Sequence, residues 1–162
     1  MAESSDRDPV DVLLVCSAGG HLLQLLALRP AWDGFRRMWV TLAAEDSSSL
    51  LGGERVVLGH GPTNRSLTNL VRNLALARRV IRQCRPAVIV TTGAALAVPF
   101  AWVGRLYGVP TVYVESLTRI EQPSLSYRLI APIVNRTYVQ WAELTRAVPE
   151  GRYVGSILSD PS

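Results

Sequence analysis

Val12 to Cys16 is an unbroken apolar run, followed by Ser17-Ala18-Gly19-Gly20-His21 and then by Leu22, Leu23, Leu25, Leu26 and Leu28. That order predicts a buried strand, a glycine turn and an apolar helix that Pro30 ends or kinks. Met38 to Leu42 predicts a second buried strand, and Glu45, Asp46 and three serines predict a turn and a helix start, with Asp46 or Ser47 as cap. Val56 to Leu58 reads as a short third strand closed by Gly59-His60-Gly61-Pro62. Ser66 to Cys84 carries the strongest helical period in the chain. Leu67, Leu70, Val71, Leu74, Ala77, Ile81 and Cys84 recur at spacings of three and four and predict its buried stripe. Arg65, Arg72, Arg79 and Arg82 fall on another arc, flanked by Leu76 and Val80.

Pro86 stops that helix, and Ala87 to Val90 predicts a fourth strand covered on both faces. Thr91-Thr92-Gly93-Ala94 is its closing turn. A helix follows from Ala95 to Leu106, started or kinked at Pro99 and ended at Gly108. Thr111 to Val114 predicts a fifth strand, with Glu115-Ser116-Leu117-Thr118-Arg119 at its carboxyl end. Ser124 to Ile130 predicts a helix, Thr137 to Val139 a sixth strand and Tyr153-Val154 a last one. Strands alternating with helices in this way predict an α/β, Rossmann-like doubly wound domain: an open, mostly parallel sheet with helices on both faces and right-handed crossovers. Residues 12–158 would form the domain, residues 1–11 a polar lead and residues 159–162 a tail.

Composition narrows the chemistry. The chain has 162 residues, 48% hydrophobic and 19% charged, which suits one globular domain with a sizeable core. All 17 basic residues are arginine. Without lysine there is no P-loop and no lysine Schiff base. Cys16 and Cys84 have no C-x-x-C spacing, so buried thiols are expected rather than a zinc site or redox pair, and no metal is implied. The N-terminal residues are acidic and carry no secretory signal, which makes the cytoplasm the expected compartment. The weakly charged stretch from Thr91 to Gly104 is shorter than the ~20 residues of a spanning helix. The arginines are dispersed and no nucleic-acid module is recognisable.

In an open parallel sheet, ligands bind outside the carboxyl ends of the strands. The candidate surface is therefore made of three turns: Ser17 to His21, Thr91 to Ala94, and Glu115 to Arg119. Glycines after a first strand let the backbone approach a phosphate, and the following helix offers free N–H groups, so an anion is the ligand they suggest. Such a turn also occurs simply to join strand to helix. The G-x-G-x-x-G dinucleotide fingerprint is absent, although Glu45 stands where a ribose-binding acid would lie, and no G-x-S-x-G elbow occurs. His21 could donate to a phosphate, take a proton from a hydroxyl, or merely cap or pack. His60 reads as a loop residue. Glu115 could accept from a sugar hydroxyl or pair with an arginine, and Arg119 could hold a phosphate bidentately or form a surface salt bridge. Leu76 and Val80 beside Arg72 and Arg79, with Trp102 in the next helix, suit either a bilayer surface or a neighbouring protein.

Ser17-Ala18-Gly19-Gly20-His21, Thr92-Gly93, Val114-Glu115-Ser116-Leu117-Thr118-Arg119, Tyr138-Val139-Gln140-Trp141 and Tyr153-Val154-Gly155 together resemble a family of split glycosyltransferase subunits. Its members are the bacterial PssD-type exopolysaccharide proteins and the eukaryotic membrane-anchoring subunit of the dolichol-linked UDP-GlcNAc transferase. The resemblance runs from about Val12 to Leu158. The same turns are similar to the acceptor-binding half of MurG, a GT-B enzyme, although MurG has a longer glycine turn. The eukaryotic relatives begin with a spanning helix, which this sequence lacks.

The resemblance implies the N-terminal half of a GT-B glycosyltransferase, working with a donor-binding PssE-type partner that holds most of the UDP-sugar site. No cofactor is implied. The acceptor would be a polyprenyl-diphosphate-linked saccharide of exopolysaccharide or capsule synthesis. Ser17, Ala18, Gly19 and Gly20 would hold its diphosphate, and His21 would be the base or a positioning group. Glu115 would orient the acceptor sugar, with Thr92, Gly93, Ser116, Thr118 and Arg119 lining the cleft. Attachment would be peripheral, on the inner face of the cell membrane, through Arg72, Leu76, Arg79, Val80 and Trp102. A non-catalytic membrane adaptor that recruits a catalytic partner is the alternative, and a self-contained nucleotide-binding module a third.

Overall fold

In the computed structural model, residues 8–63 and 66–158 are described, apart from the side chains of Glu45 and Asp46. Arg65, the tail, most of the lead, the cap expected of Asp46 and the ribose contact expected of Glu45 lie outside the described residues. Seven strands, β1 Val12–Val15, β2 Arg37–Leu42, β3 Val56–Gly59, β4 Val88–Thr91, β5 Thr111–Val114, β6 Arg136–Tyr138 and β7 Gly151–Arg152, form one sheet in the order β3-β2-β1-β4-β5-β6-β7. Every neighbouring pair is parallel. The helices are α1 Gly20–Ala27, α2 Glu45–Leu50, α3 Leu67–Cys84, α4 Ala97–Leu106 and α5 Leu125–Ile130.

Alternation along β1 builds the two faces of the sheet. Leu13 and Val15 join Met38, Val40 and Ile89 beneath α3 and α4, while Leu14 and Cys16 join Trp39 against Leu22 and Leu25 of α1 on the other side. A third cluster packs Tyr113 with Tyr127 and Ile130 of α5 and with Val139. Both cysteines are free and buried. Val10, assigned by sequence to the lead, is buried, and its N–H donates to Cys84 O at 2.9 Å. The last strand is Gly151–Arg152 rather than Tyr153-Val154, because Thr137 and Tyr138 pair with those two residues. The α2 start is held by Ser47, whose Oγ accepts the Ala44 N–H at 3.1 Å.

The rotation of α3 departs from the expected one. Its buried residues are Asn69, Asn73, Leu76, Ala77, Val80, Ile81 and Cys84, and Leu67, Leu70, Val71 and Leu74 are exposed. The native stripe has as good a helical spacing as the leucine one, but two asparagines disguise its first turns. Asn73 accepts the His60 N–H at 2.8 Å and donates to His60 O at 2.9 Å. Asn69 donates to Pro62 O at 2.8 Å. These amides satisfy backbone groups of the loop after β3, which is why a polar pair sits in a buried stripe.

Candidate functional site

The strand order reverses between β1 and β4, and at such a switch point the carboxyl ends of the strands open a crevice. β1 leads through Cys16 and Ser17 to Gly19, whose φ of 75° requires glycine at the entrance to α1. His21 is the second residue of that helix. Its Nδ1 lies 2.8 Å from Thr92 O, and Thr92 Oγ1 donates to His21 O at 2.8 Å. A carbonyl only accepts, so Nδ1 carries a proton, and in the neutral tautomer this selects the lone pair lies on Nε2. The turn after β4 thus fixes the tautomer of a histidine on α1.

Gln24, one turn further along α1, holds the turn after β5. Its Oε1 accepts the Leu117 N–H at 3.2 Å and its Nε2 donates to Ser116 Oγ at 3.4 Å. Ser116 Oγ in turn pairs with Thr118 Oγ1 at 3.0 Å. From the other side, Trp141 Nε1 donates to Leu117 O at 2.7 Å. Ser116, Thr118 and Arg119 are therefore set against His21 by a clamp that involves residues on three elements.

Glu115 differs from the expected acceptor contact. Its side chain is 1% exposed and does not line the cavity. Oε1 accepts the Tyr113 hydroxyl at 3.1 Å and the Ser116 N–H at 2.8 Å, and Oε2 accepts the Ser124 N–H at 2.9 Å. These donors satisfy the carboxylate inside the fold, so Glu115 is a positioning residue that ties β5 to the cap of α5. Tyr113 Oη also meets Ser124 Oγ at 2.9 Å, and burial with the neighbouring carboxylate pushes the phenol pKa up. Gly93, with φ of 96°, completes this unit: a Cβ there would lie 2.5 Å from Tyr113 Oη.

These turns open on a cavity of about 1020 Å³. Ser17, His21, Ser116, Thr118 and Arg119 line one end, as the sequence suggests. Ala18, Gly19 and Gly20 form the turn itself, while Thr92 and Gly93 are buried behind His21 and shape the site through their backbone. The rest is lined by α3, α4 and α5 and their caps, where Leu67, Leu70, Val98, Pro99, Leu125 and Leu129 stand among the polar Ser66, Asn73, Ser124 and Ser126. His21 and Arg119 are the only ionisable residues among the described lining, and the Arg119 guanidinium has no partner among the described residues. No group of His, Cys, Asp or Glu among the described residues could hold a metal ion.

Two of the five expected membrane contacts are corrected. Leu76 and Val80 are 5% and 3% exposed and belong to the core. Arg72, Arg79 and Trp102 are exposed, and Trp102 donates to Leu129 O at 3.2 Å. No helix among the described residues is long and apolar enough to cross a membrane. Sequence reasoning missed Gln24 and Tyr113. The first was legible as the residue three after His21 on the same helical face; the second carried no signal beyond its place in a buried strand.

The parallel sheet, with its switch point and the cavity at its carboxyl edge, has the architecture of one α/β half of the GT-B fold. MurG from Acinetobacter baumannii superposes with a TM-score of 0.73 at 14% identity, over 94% of this chain and 46% of that one. The chain belongs to the family described as oligosaccharide biosynthesis protein Alg14 like, which matches residues 55–157. The UDP-N-acetylglucosamine transferase subunit ALG14 of Debaryomyces hansenii is 25% identical over 183 residues, covering 91% of this chain and 76% of that protein. In Oceanobacillus iheyensis, the UDP-N-acetylglucosamine–N-acetylmuramyl-(pentapeptide) pyrophosphoryl-undecaprenol N-acetylglucosamine transferase is 29% identical over 86 residues, covering 52% of this chain and 23% of that enzyme. The chain thus spans about half of the solved glycosyltransferase and a smaller part of this enzyme.

Proposed function

We propose that the chain is the acceptor-side subunit of a two-component glycosyltransferase, which moves a sugar from a UDP-sugar to a polyprenyl-diphosphate-linked saccharide. Exopolysaccharide or capsule assembly on the inner face of the cell membrane is the setting we assign, with a PssE-type partner holding the donor. The names of the relatives, a UDP-N-acetylglucosamine transferase subunit and an enzyme acting on a pyrophosphoryl-undecaprenol, support this reading. The observation that carries it is His21, held through Nδ1 by Thr92 O, in one cavity with aliphatic side chains of three helices and with Arg119, whose guanidinium has no partner among the described residues.

The acceptor diphosphate sits on the Gly19-Gly20 turn, where the first N–H groups of α1 point outward, and Arg119 adds two donors in a plane. His21 Nε2 takes the proton of the acceptor hydroxyl as its oxygen bonds to the anomeric carbon of the donor sugar. The bond from that carbon to UDP breaks, and UDP leaves on the partner's side. Exposed Val71 and Leu74 lie on the outer side of α3, near Arg72 and Arg79. They suit a bilayer surface with anionic headgroups.

Turnover by the chain reconstituted with its donor-binding partner tests the role of His21. His21→Ala is expected to lower kcat by about 10²–10⁴-fold, the usual contribution of a general base. Turnover within a few-fold of wild type, with the partner still bound, would refute the base role of His21.

A further inference from the structure

We propose, resting on the acceptor-side reading above, that the aliphatic side chains of this cavity form a seat for the first isoprene units of the acceptor lipid, so that the chain grips tail as well as head group. Leu67 and Leu70 of α3, Val98 and Pro99 of α4, and Leu125 and Leu129 of α5 converge on it from three helices. They share one continuous cavity of about 1020 Å³ with His21 and Arg119, more room than a diphosphate alone requires. The two kinds of lining match the two parts of one molecule. A dianionic head meets an imidazole and a guanidinium with no carboxylate among the described lining, and the tail attached to it meets aliphatic side chains.

Leu67 and Leu125, 79% and 71% exposed, stand at the open end, where a longer chain continues outward. Val71 and Leu74 do not line the cavity but lie on the same arc of α3 as Leu67 and Leu70, so the tail seat borders the surface that would meet a bilayer. Exposed leucines at the cavity cost solubility, and an isoprenoid covering them removes that apolar area from water.

Calorimetric titration of the full chain in detergent-free buffer, with inorganic pyrophosphate and with farnesyl diphosphate below its micellar range, tests the seat. Farnesyl diphosphate is expected to bind at least about tenfold more tightly, the equivalent of about 1.4 kcal/mol. Leu70→Gln with Leu129→Gln is expected to erase that preference and leave pyrophosphate binding unchanged. Both sites are already solvent-exposed, so the fold should survive, as circular dichroism would verify. Leu106→Gln, on the exposed end of α4 and outside the cavity lining, should leave the preference intact.

Equal affinity for the two ligands would overturn the tail seat while leaving the diphosphate site standing. A preference that survives the double variant, or that Leu106→Gln abolishes, would also overturn it by placing the tail elsewhere. Binding of neither ligand would overturn both the seat and the acceptor-side reading beneath it.

Discussion

Replacing Glu115 by glutamine separates a carboxylate that organises the fold from one that touches the acceptor. The native carboxylate accepts three donors, from Tyr113, Ser116 and Ser124. A glutamine amide has one oxygen. Placed at the Oε1 position, it keeps the Tyr113 and Ser116 bonds and turns its NH₂ toward the Ser124 N–H. One hydrogen bond to a charged group is lost, about 1.5–3 kcal/mol, and two buried donors confront each other, about 1–3 kcal/mol more. Relief of the buried negative charge offsets part of this, so a net cost of about 2 kcal/mol is expected. For a domain of this size that lowers Tm by roughly 4–8 °C. Differential scanning calorimetry of the full chain gives the first readout, and reconstituted turnover the second. A Tm within about 1 °C of wild type together with a large fall in turnover would refute the positioning role, and would return Glu115 to the acceptor.

Gly93→Ala is expected to cost about 2–4 kcal/mol, because positive-φ strain adds to the clash with Tyr113, whereas Gly19→Ala meets nothing within 4 Å and should cost only about 1–2 kcal/mol; urea unfolding compares the two. Leu76→Ala should cost about 2–5 kcal/mol of stability as a core deletion. Val71→Ser with Leu74→Ser should leave stability nearly unchanged and weaken co-sedimentation with phosphatidylcholine–phosphatidylglycerol vesicles; the reverse pattern would restore the rotation of α3 read from the sequence. Burial pushes the thiols of Cys16 and Cys84 up to about 12 and about 11, so both stay protonated in the folded chain at pH 8. Folding therefore retains protons that the unfolded thiols would release, and this contribution is lost only as pH rises toward those values. Ellman's reagent should label neither cysteine at pH 8 until denaturant unfolds the chain.

The architecture was legible because its signals are local. Val12 to Cys16, Met38 to Leu42 and Thr111 to Val114 are apolar runs bounded by turn residues, and each is a strand to within a residue at either end. The site was partly legible for the same reason: His21, Ser116, Thr118 and Arg119 follow strands directly, and a parallel sheet brings its carboxyl ends together. What stayed hidden depends on partners distant in sequence. Glu115 reads as a functional carboxylate until the Ser124 N–H, nine residues on, is seen to occupy it. Gln24 gains its role from Leu117, 93 residues away. Leu125 and Leu129 look like ordinary helix positions until α5 is placed beside the mouth of the cavity.

The two asparagines of α3 have a consequence for how the chain reaches its native state. The leucine arc is the more hydrophobic side of the N-terminal half of that helix, and it lies roughly 100° around the axis from the buried one. Hydrophobic collapse alone would dock α3 with the leucines inward, a frustrated alternative only a partial rotation from the correct one. The native setting is selected when Asn69 and Asn73 find the backbone of residues 60–62. Two amides thus act as the indexing pin of an otherwise slippery cylinder, and by holding it in place they keep a row of leucines on the outside, free for other work.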